Sequence, residues 1–213
     1  MMHPGIWVDT VHSVRDYGRC YASRAVSAPP KRVLKKTIPY RDGAIDFTKL
    51  NGAVYYNERT ITYEFDVIGS TPFEVTKQVD DFTQWLTEIT DADIHDDELP
   101  AWHWHGGCDE VAVNYEDGSG LKATITATFT VYPFRIADEY SSADIVVGTN
   151  EVYNEGRRAR IWVIPNGTVT IKIGPVRQTF MGETYADIYL PHGYSDVEVT
   201  GGSAQIRWHE EAI

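Results

Sequence analysis

The sequence predicts a mainly β protein, with an N-terminal β-sandwich or barrel-like domain that bears one amphipathic helix and a small C-terminal β-sandwich behind it. Three observations predict this fold class. Short runs of alternating apolar and polar residues recur along most of the 213 residues. Turn signals rich in Gly, Asn and Asp separate these runs. A single helical pattern, with apolar residues at steps of three and four, interrupts them over residues 72–89.

The first clear strand follows two turn signals. Asp42-Gly43 and Asn51-Gly52 are typical turn pairs, because glycine adopts a positive φ at little steric cost. From residue 55 the pattern has period two, and one face is expected to carry Tyr55, Asn57, Arg59, Ile61, Tyr63 and Phe65. The other face is largely polar, so we expect one side of this strand to be buried.

The helix has a recognisable start. Thr71 is suited to the N-cap, Pro72 to the first turn, and Glu74 completes a capping box. The apolar stripe that follows consists of Val75, Val79, Phe82, Leu86 and Ile89. Trp85 flanks the stripe and is expected to pack in the core. A helix with one apolar face must lie against another element, and we expect a sheet.

Four further stretches complete the expected first domain. Residues 90–100 are acidic and are expected to form a solvated connection. Two strands are expected over residues 101–105 and 110–115. Residues 121–132 alternate apolar side chains with lysine and threonine, which is typical of a strand with one buried face.

A domain boundary is expected near residues 138–142, giving a first domain over 1–137 and a small β-sandwich over 138–213. Asn166-Gly167 is the best two-residue hairpin signal in the chain. The alternating run after it has an expected buried face of Val169, Ile171 and Ile173. Further strands are expected over residues 185–190, 196–200 and 204–209.

Composition argues against some classes of protein. The chain has 31 Asp and Glu residues against 19 Lys and Arg residues, a net charge of −12. A general nucleic-acid binder needs a basic surface, so the charge argues against that class. Residues 31–36 are a local basic patch, which indicates either a solvated segment or a docking surface for an acidic neighbour. We also expect no membrane insertion, because no apolar run approaches the length of a span. We expect no secretion signal, because the N-terminal residues show no basic lead-in followed by an apolar core.

One expected strand carries residues that could hold a metal. His103 and His105 lie two apart and would share a face, and Glu110 follows five residues later. This spacing is similar to the first metal motif of the cupins, but the second cupin motif has no good match. The other interpretation is a strand whose histidines face solvent or a neighbouring subunit. We therefore treat the three residues as weak metal candidates and expect no cofactor.

Other chemistry has little support in the sequence. No nucleophile motif, phosphate loop or dinucleotide fingerprint is present, so no catalytic residue is predicted. Cys20 and Cys108 are expected to be reduced thiols. Aromatic residues are plentiful, and Trp162 and Trp208 are candidates for contact with a carbohydrate or a partner. Packing in a sandwich core is the alternative role for the same side chains.

An ordered series of residues carries a family resemblance. The series is Pro39, Asp42-Gly43, Ile45-Asp46, Gly52, and Tyr55-Tyr56 ahead of Arg59. The helix around Trp85-Leu86, an acidic link, an aromatic strand and Tyr132-Pro133-Phe134 follow in order. Together they resemble the distal tail protein family of long-tailed, siphovirus-type bacteriophages over roughly residues 1–137.

The resemblance implies a structural protein of the phage or prophage tail tip and no enzyme. It implies that the first domain forms a hexameric ring that joins the tail tube to the tail-tip or baseplate apparatus. The implied partners are further copies of the chain, the tail tube protein, a tail-associated protein and the tape measure protein, with DNA passing through the channel. Assembly would take place in the host cytoplasm, and a galectin-like second domain would follow. A cupin-like metal enzyme and a carbohydrate-binding module are the alternative functions.

Overall fold

The computed structural model describes residues 4–40, 42–48, 54–116 and 118–213, so the expected Asn51-Gly52 turn lies outside the described residues. The chain divides into two compact units, one running to Phe134 and one spanning Arg135–Ala212. Each unit has its own apolar core. No helix in the described part of the chain is long and apolar enough to cross a membrane. The predicted mainly β fold class is confirmed.

The first unit contains nine strands and two helices among its described residues. These are β1 (Ile6–Val8), β2 (Val11–His12), α1 (Ser13–Tyr17), β3 (Tyr21–Val26), β4 (Lys35–Thr37), β5 (Ala44–Asp46), β6 (Arg59–Ile68), α2 (Pro72–Glu88), β7 (Ala92–Asp96), β8 (Trp102–Glu116) and β9 (Lys122–Val131). The short helix α1 was not predicted from the sequence. Seven of these strands pair in the antiparallel order β3-β6-β9-β8-β7-β1-β2.

Strand β8 connects two parts of this arrangement. Its beginning pairs with β7, and from Gly106 onward it pairs with β9. Gly106 and Gly107 lie where a Cβ atom would collide with the carbonyl oxygens of Thr130 and Thr90, respectively. The register also shifts between Cys108 and Glu110, which is the mark of a β-bulge. The two strands expected in this region are therefore one long strand with an irregularity in the middle.

Helix α2 begins as the sequence predicts. The Thr71 side chain accepts a hydrogen bond from the Glu74 N–H at 3.2 Å, and the Glu74 carboxylate accepts one from the Ser70 N–H at 2.9 Å. The buried face of the helix is formed by Val75, Val79, Phe82, Trp85 and Leu86. This face packs on apolar residues of β6 and β9, where Phe82 contacts Phe65 ring to edge with centroids 4.9 Å apart.

The predicted strand over residues 121–132 is confirmed as β9, and the strand predicted from residue 55 begins at Arg59 as β6. The two strands pair along their whole length, and alternate residues of each are buried. The acidic stretch 90–100 differs from expectation, because it contains β7 with Ile94 fully buried. Apolar residues at 92 and 94 alternate with polar ones in this stretch. The many acidic residues around them made the alternation hard to recognise in the sequence.

The second unit consists of eight strands. These are β10 (Arg135–Ile145), β11 (Gly148–Asn154), β12 (Ala159–Asn166), β13 (Val169–Ile173), β14 (Val176–Phe180), β15 (Thr184–Leu190), β16 (Gly193–Thr200) and β17 (Ser203–Ala212). Within this unit they form two antiparallel four-stranded sets, β15-β12-β17-β10 and β11-β16-β13-β14. Their inward side chains form one apolar core, which includes the predicted buried face of β13.

Two local expectations in this unit are corrected. Asn166-Gly167 does not close a hairpin, because β12 pairs with β15 and β17 while β13 pairs with β14 and β16. The turn instead carries the chain from one sheet to the other, with Gly167 at φ 86°. The domain boundary expected near residues 138–142 lies a few residues earlier, after Phe134, since residues 138–142 lie inside β10.

Candidate assembly and binding surfaces

Residues 31–57, which connect β3 to β6, are called the arm, and residues 31–40, 42–48 and 54–57 of it are described by the structure. Its described parts include the short pair β4 and β5, in register from Lys35 opposite Asp46 to Thr37 opposite Ala44. Nearer the body, the N–H of Arg32 donates to the carbonyl of Tyr55 at 2.8 Å. The Arg32 guanidinium donates to the Asn57 side chain at 3.1 Å. The described parts of the arm thus have their own ladder of hydrogen bonds.

The arm leaves large apolar side chains uncovered. Val33 and Leu34 are 58% and 57% exposed, Tyr40 is fully exposed, and Ile38 and Tyr55 are partly exposed. None of these residues belongs to the buried core of the first unit. Val33 also lines a surface cavity of about 350 Å³ together with Lys31, Lys35, Asp46, Thr48 and Val54. Clustered apolar exposure of this kind is typical of a surface that another protein covers.

Charge is divided sharply between the arm and the rest of the first unit. Residues 31–57 carry six Lys and Arg residues against two Asp and Glu residues. The rest of the first unit, residues 1–30 and 58–134, carries six against eighteen. The basic patch of residues 31–36 lies on the arm, on and beside β4. Of the two interpretations given above, the docking surface gains support from the apolar side chains interleaved with these charges. Sequence reasoning used the charges alone and missed the apolar residues between them.

The structure separates the weak metal candidates. His103 and His105 share the face of β8 opposite buried Trp104, as expected. Glu110 lies five residues along the strand beyond the bulge, about 15 Å away by strand rise, which is too far for a shared metal. His105 is held by two carboxylates, with Nδ1 2.8 Å from Asp93 and Nε2 2.9 Å from Asp91. The arrangement His103, His105, Glu110 is therefore corrected: it is not a ligand set.

The two tryptophan candidates have different environments. Trp208 is only 3% exposed and belongs to the core of the second unit, so its ring cannot offer a face to a carbohydrate. Trp162 lies on the outward side of β12 and is partly exposed. It contacts Tyr185 with ring centroids 5.0 Å apart and Tyr140 with centroids 6.1 Å apart. Of the two, Trp162 remains a candidate for binding at the surface.

A buried carboxylate that the sequence did not reveal joins three strands of the first unit. Asp96 accepts hydrogen bonds from the hydroxyls of Tyr21 at 2.8 Å and Tyr63 at 2.9 Å. The Arg24 guanidinium lies 2.6 Å from the same side chain. Burial, with the nearby carboxylate adding to it, raises the pKa of both tyrosine hydroxyls. These groups satisfy one another, so the cluster is suited to holding β3, β6 and β7 together.

The two thiols do not resemble catalytic cysteines. Both are free and partly buried. Burial raises the pKa of the Cys108 thiol to about 11, so it is protonated at neutral pH and is a poor nucleophile.

Neither a family model nor a curated protein matches the sequence. Among solved structures, the chain is similar to the Dit (gp 19.1) protein of phage SPP1, described as a paradigm of the hub adsorption apparatus in phages that infect Gram-positive bacteria. The identity is 13%, the TM-score is 0.75, and 99% of each chain is covered. It also matches the phage P2 baseplate in its activated conformation with Ca at 8% identity and a TM-score of 0.43, over 99% of each chain.

The likeness to SPP1 Dit establishes the fold of the chain over its whole length. At such low identity it does not transfer a function, and the likeness to the P2 baseplate is too weak to define a fold.

Proposed function

We propose that this chain is a structural hub protein of a phage or prophage tail, which assembles with copies of itself into a ring. The observation that carries the proposal is the arm, residues 31–57. It combines uncovered apolar side chains with an excess of basic residues on a protein whose residues 60–134 are strongly acidic. A surface of this composition is suited to a neighbouring copy of the same chain.

The arm and the acidic part of the first unit are complementary in charge. A contact from the arm of one copy to the body of the next uses two different surfaces, and is therefore heterologous. Heterologous contacts close into a ring when the rotation between copies divides a full turn. The resemblance to the distal tail family suggests six copies, and the whole-chain likeness to SPP1 Dit supports a hub rather than a fibre.

The proposed ring would contact several other proteins of the tail. Its partners would be the tail tube protein on one side and a tail-associated protein on the other, with the tape measure protein and DNA in the channel. The place of action would be the virion tail tip, after assembly in the host cytoplasm. The roles are structural, and catalysis is not part of the proposal.

The mass of the protein in solution tests the ring. We expect light scattering or native mass spectrometry to show a closed oligomer, hexameric by the family resemblance, at micromolar concentration. The double substitution Leu34→Glu and Tyr40→Glu should shift it to monomers, because it places charge in the contact without touching either core.

Met181→Glu is the matched control, since Met181 is at least as exposed as Leu34 but lies in the second unit, far along the chain from the arm. This variant should assemble like the original protein. A wild-type chain that is monomeric at every concentration, or an arm variant that assembles normally, would contradict assembly through the arm.

A further inference from the structure

The outward face of the sheet β15-β12-β17-β10 carries a group of aromatic rings. Tyr140, Trp162 and Tyr185 form a continuous series, and the hydroxyls of the two tyrosines lie 3.5 Å apart. His209 packs on Tyr140 with ring centroids 3.8 Å apart. Tyr140, Tyr185 and Tyr189 are each more than a third exposed. The core of such a fold can also hold tyrosine rings, so their exposure is a distinct feature of this face. We call this surface the aromatic face.

Arginines lie on the same face as the rings. Arg158 lies over the ring of Tyr189 at 3.9 Å, and Arg160 lies over Tyr185 at 5.7 Å. Arg207 of β17 is the register partner of Trp162. All three arginines are exposed. The Nε–H groups of Arg160 and Arg207 are already used, donating to Ala186 and Gln205, and this orients the rest of each guanidinium.

Three guanidinium groups come together on this face, although the whole chain has a net charge of −12. Carboxylates share the sheet: Asp144 and Asp187 lie at outward positions, and alternation along β17 places Glu211 on the same side as Arg207 and His209. Asp144 already accepts a hydrogen bond from Gln205 at 3.1 Å. The guanidinium groups beside Trp162 and Tyr185 supply the positive charge for an anionic ligand on an otherwise acidic protein.

We propose that the aromatic face binds an anionic saccharide. Ring C–H groups of a pyranose form an apolar surface that packs on Trp162 and Tyr185, as apolar groups pack on aromatic rings generally. The fixed guanidinium groups of Arg160 and Arg207 can then hold a carboxylate, sulfate or phosphate on the sugar through paired N–H donors. The exposed tyrosine hydroxyls add donors and acceptors for sugar hydroxyls.

The arrangement of the rings favours a saccharide over single-stranded nucleic acid. Proteins that bind single strands offer separate ring faces to successive bases and a positive groove along the backbone. Here Trp162 and Tyr185 are inclined to each other by 33°, and Tyr140 meets Trp162 at 74°. The rings therefore pack against one another and form one continuous surface, with the arginines placed beside and among them. Separate ring faces for successive bases are not formed by these three rings.

Binding of defined oligosaccharides by the whole chain tests this site. The probes are an oligogalacturonate hexamer, which is anionic, and maltohexaose, which is neutral, followed by calorimetry and by the fluorescence of tryptophan. We expect the anionic hexamer to bind at least about tenfold more tightly than the neutral one. Trp162→Ala, and separately Arg160→Gln with Arg207→Gln, should each weaken binding by about tenfold or more.

Tyr194→Ala and Lys172→Gln are the matched controls, because both residues lie on the other sheet of the same unit with their side chains at the surface. They should leave binding unchanged, and thermal unfolding of every variant should show that the fold is intact. No binding of the anionic hexamer, equal loss in the control variants, or preference for a dT decamer over the hexamer would overturn the proposal. Saccharide binding can be measured whether or not the chain forms a ring. A negative result for one of these two proposals therefore leaves the other standing.

Discussion

Asp96 shows how one residue can connect distant parts of the chain. Its side chain is fully buried and meets Arg24, Tyr21 and Tyr63, which lie 72, 75 and 33 residues away along the sequence. A buried carboxylate without partners would be strongly unfavourable, so these groups have to come together for β7 to take its place.

Asp96→Asn should destabilise the protein. The asparagine amide keeps one acceptor oxygen but replaces the other with an NH2 donor, so one tyrosine hydroxyl loses its acceptor and the Arg24 guanidinium loses its nearest anion. We expect the free energy of unfolding to fall by about 2–3 kcal/mol. Urea unfolding followed by tryptophan fluorescence measures this. Asp91→Asn is the comparison, because Asp91 is largely exposed and pairs with His105 at the surface. Equal and small losses in both variants would show that Asp96 has no special role.

The residues that contact Asp96 could not be predicted from the sequence. The stretch around Asp96 is acidic, and charge is the ordinary mark of solvated chain. The alternation of Ala92 and Ile94 with polar neighbours was the available signal for a strand. Nothing in the local pattern shows that the tyrosines and the arginine from other strands would meet the carboxylate.

At the scale of elements, helix α2 is the clearest agreement between sequence and structure. The start of a helix depends on residues close together in sequence, because a few side chains there accept hydrogen bonds from the unpaired N–H groups of the first turn. Thr71 and Glu74 therefore form their contacts as expected, and the apolar stripe lies on the core. The reciprocal contact of Glu74 reaches Ser70 instead of Thr71, a difference of one residue.

The cap can be tested by a single substitution. Thr71→Ala removes the acceptor for the Glu74 N–H and should lower the free energy of unfolding by about 1 kcal/mol. Thr76→Ala is the matched control, since Thr76 lies inside the same helix and its hydroxyl donates to the carbonyl of Pro72. Alanine is the better helix former there, so Thr76→Ala should be neutral or slightly stabilising. If chemical denaturation gives both variants the same stability, the cap contributes nothing.

The turn at Asn166-Gly167 shows where element-level reasoning fails. The pair favours a tight turn, and a tight turn is what forms, with Gly167 at positive φ. Pairing is decided by the whole sandwich, in which β12 joins β17 and β13 joins β16. A local signal fixes the bend in the chain but cannot say which strand lies beside the next.

At the scale of the molecule, the uneven charge of the first unit predicts how the proposed ring responds to salt. Raising sodium chloride from about 0.1 M to about 1 M shortens the Debye length roughly threefold, from about 10 Å to about 3 Å. An arm-to-body contact supported by opposite charges should then weaken, and light scattering should show a larger fraction of monomers. Lys35→Glu with Lys36→Glu should reproduce the effect at low salt. An oligomer that tightens with salt would instead indicate a purely apolar contact.

Only some features of the whole molecule could be predicted from the sequence. The fold class, the helix and a likeness to distal tail proteins follow from ordered local patterns. The exposed aromatic face does not, because Tyr140, Trp162, Tyr185 and Arg207 come from four different strands. The environment of Trp208 could not be predicted either. Alternation along β17 turns its side chain inward, whereas the residues on either side of it face outward.

The paired glycines of β8 have a consequence for how such chains can diverge. The backbone carbonyls of Thr130 and Thr90 occupy the space that any side chain at Gly106 or Gly107 would need. Carbonyls of neighbouring segments cannot move aside as a flexible side chain can, so even alanine would separate the strands. The outward threonines of β9, by contrast, are open to replacement. In lineages that have kept this fold while losing almost all common sequence, these two positions should be among the last to change.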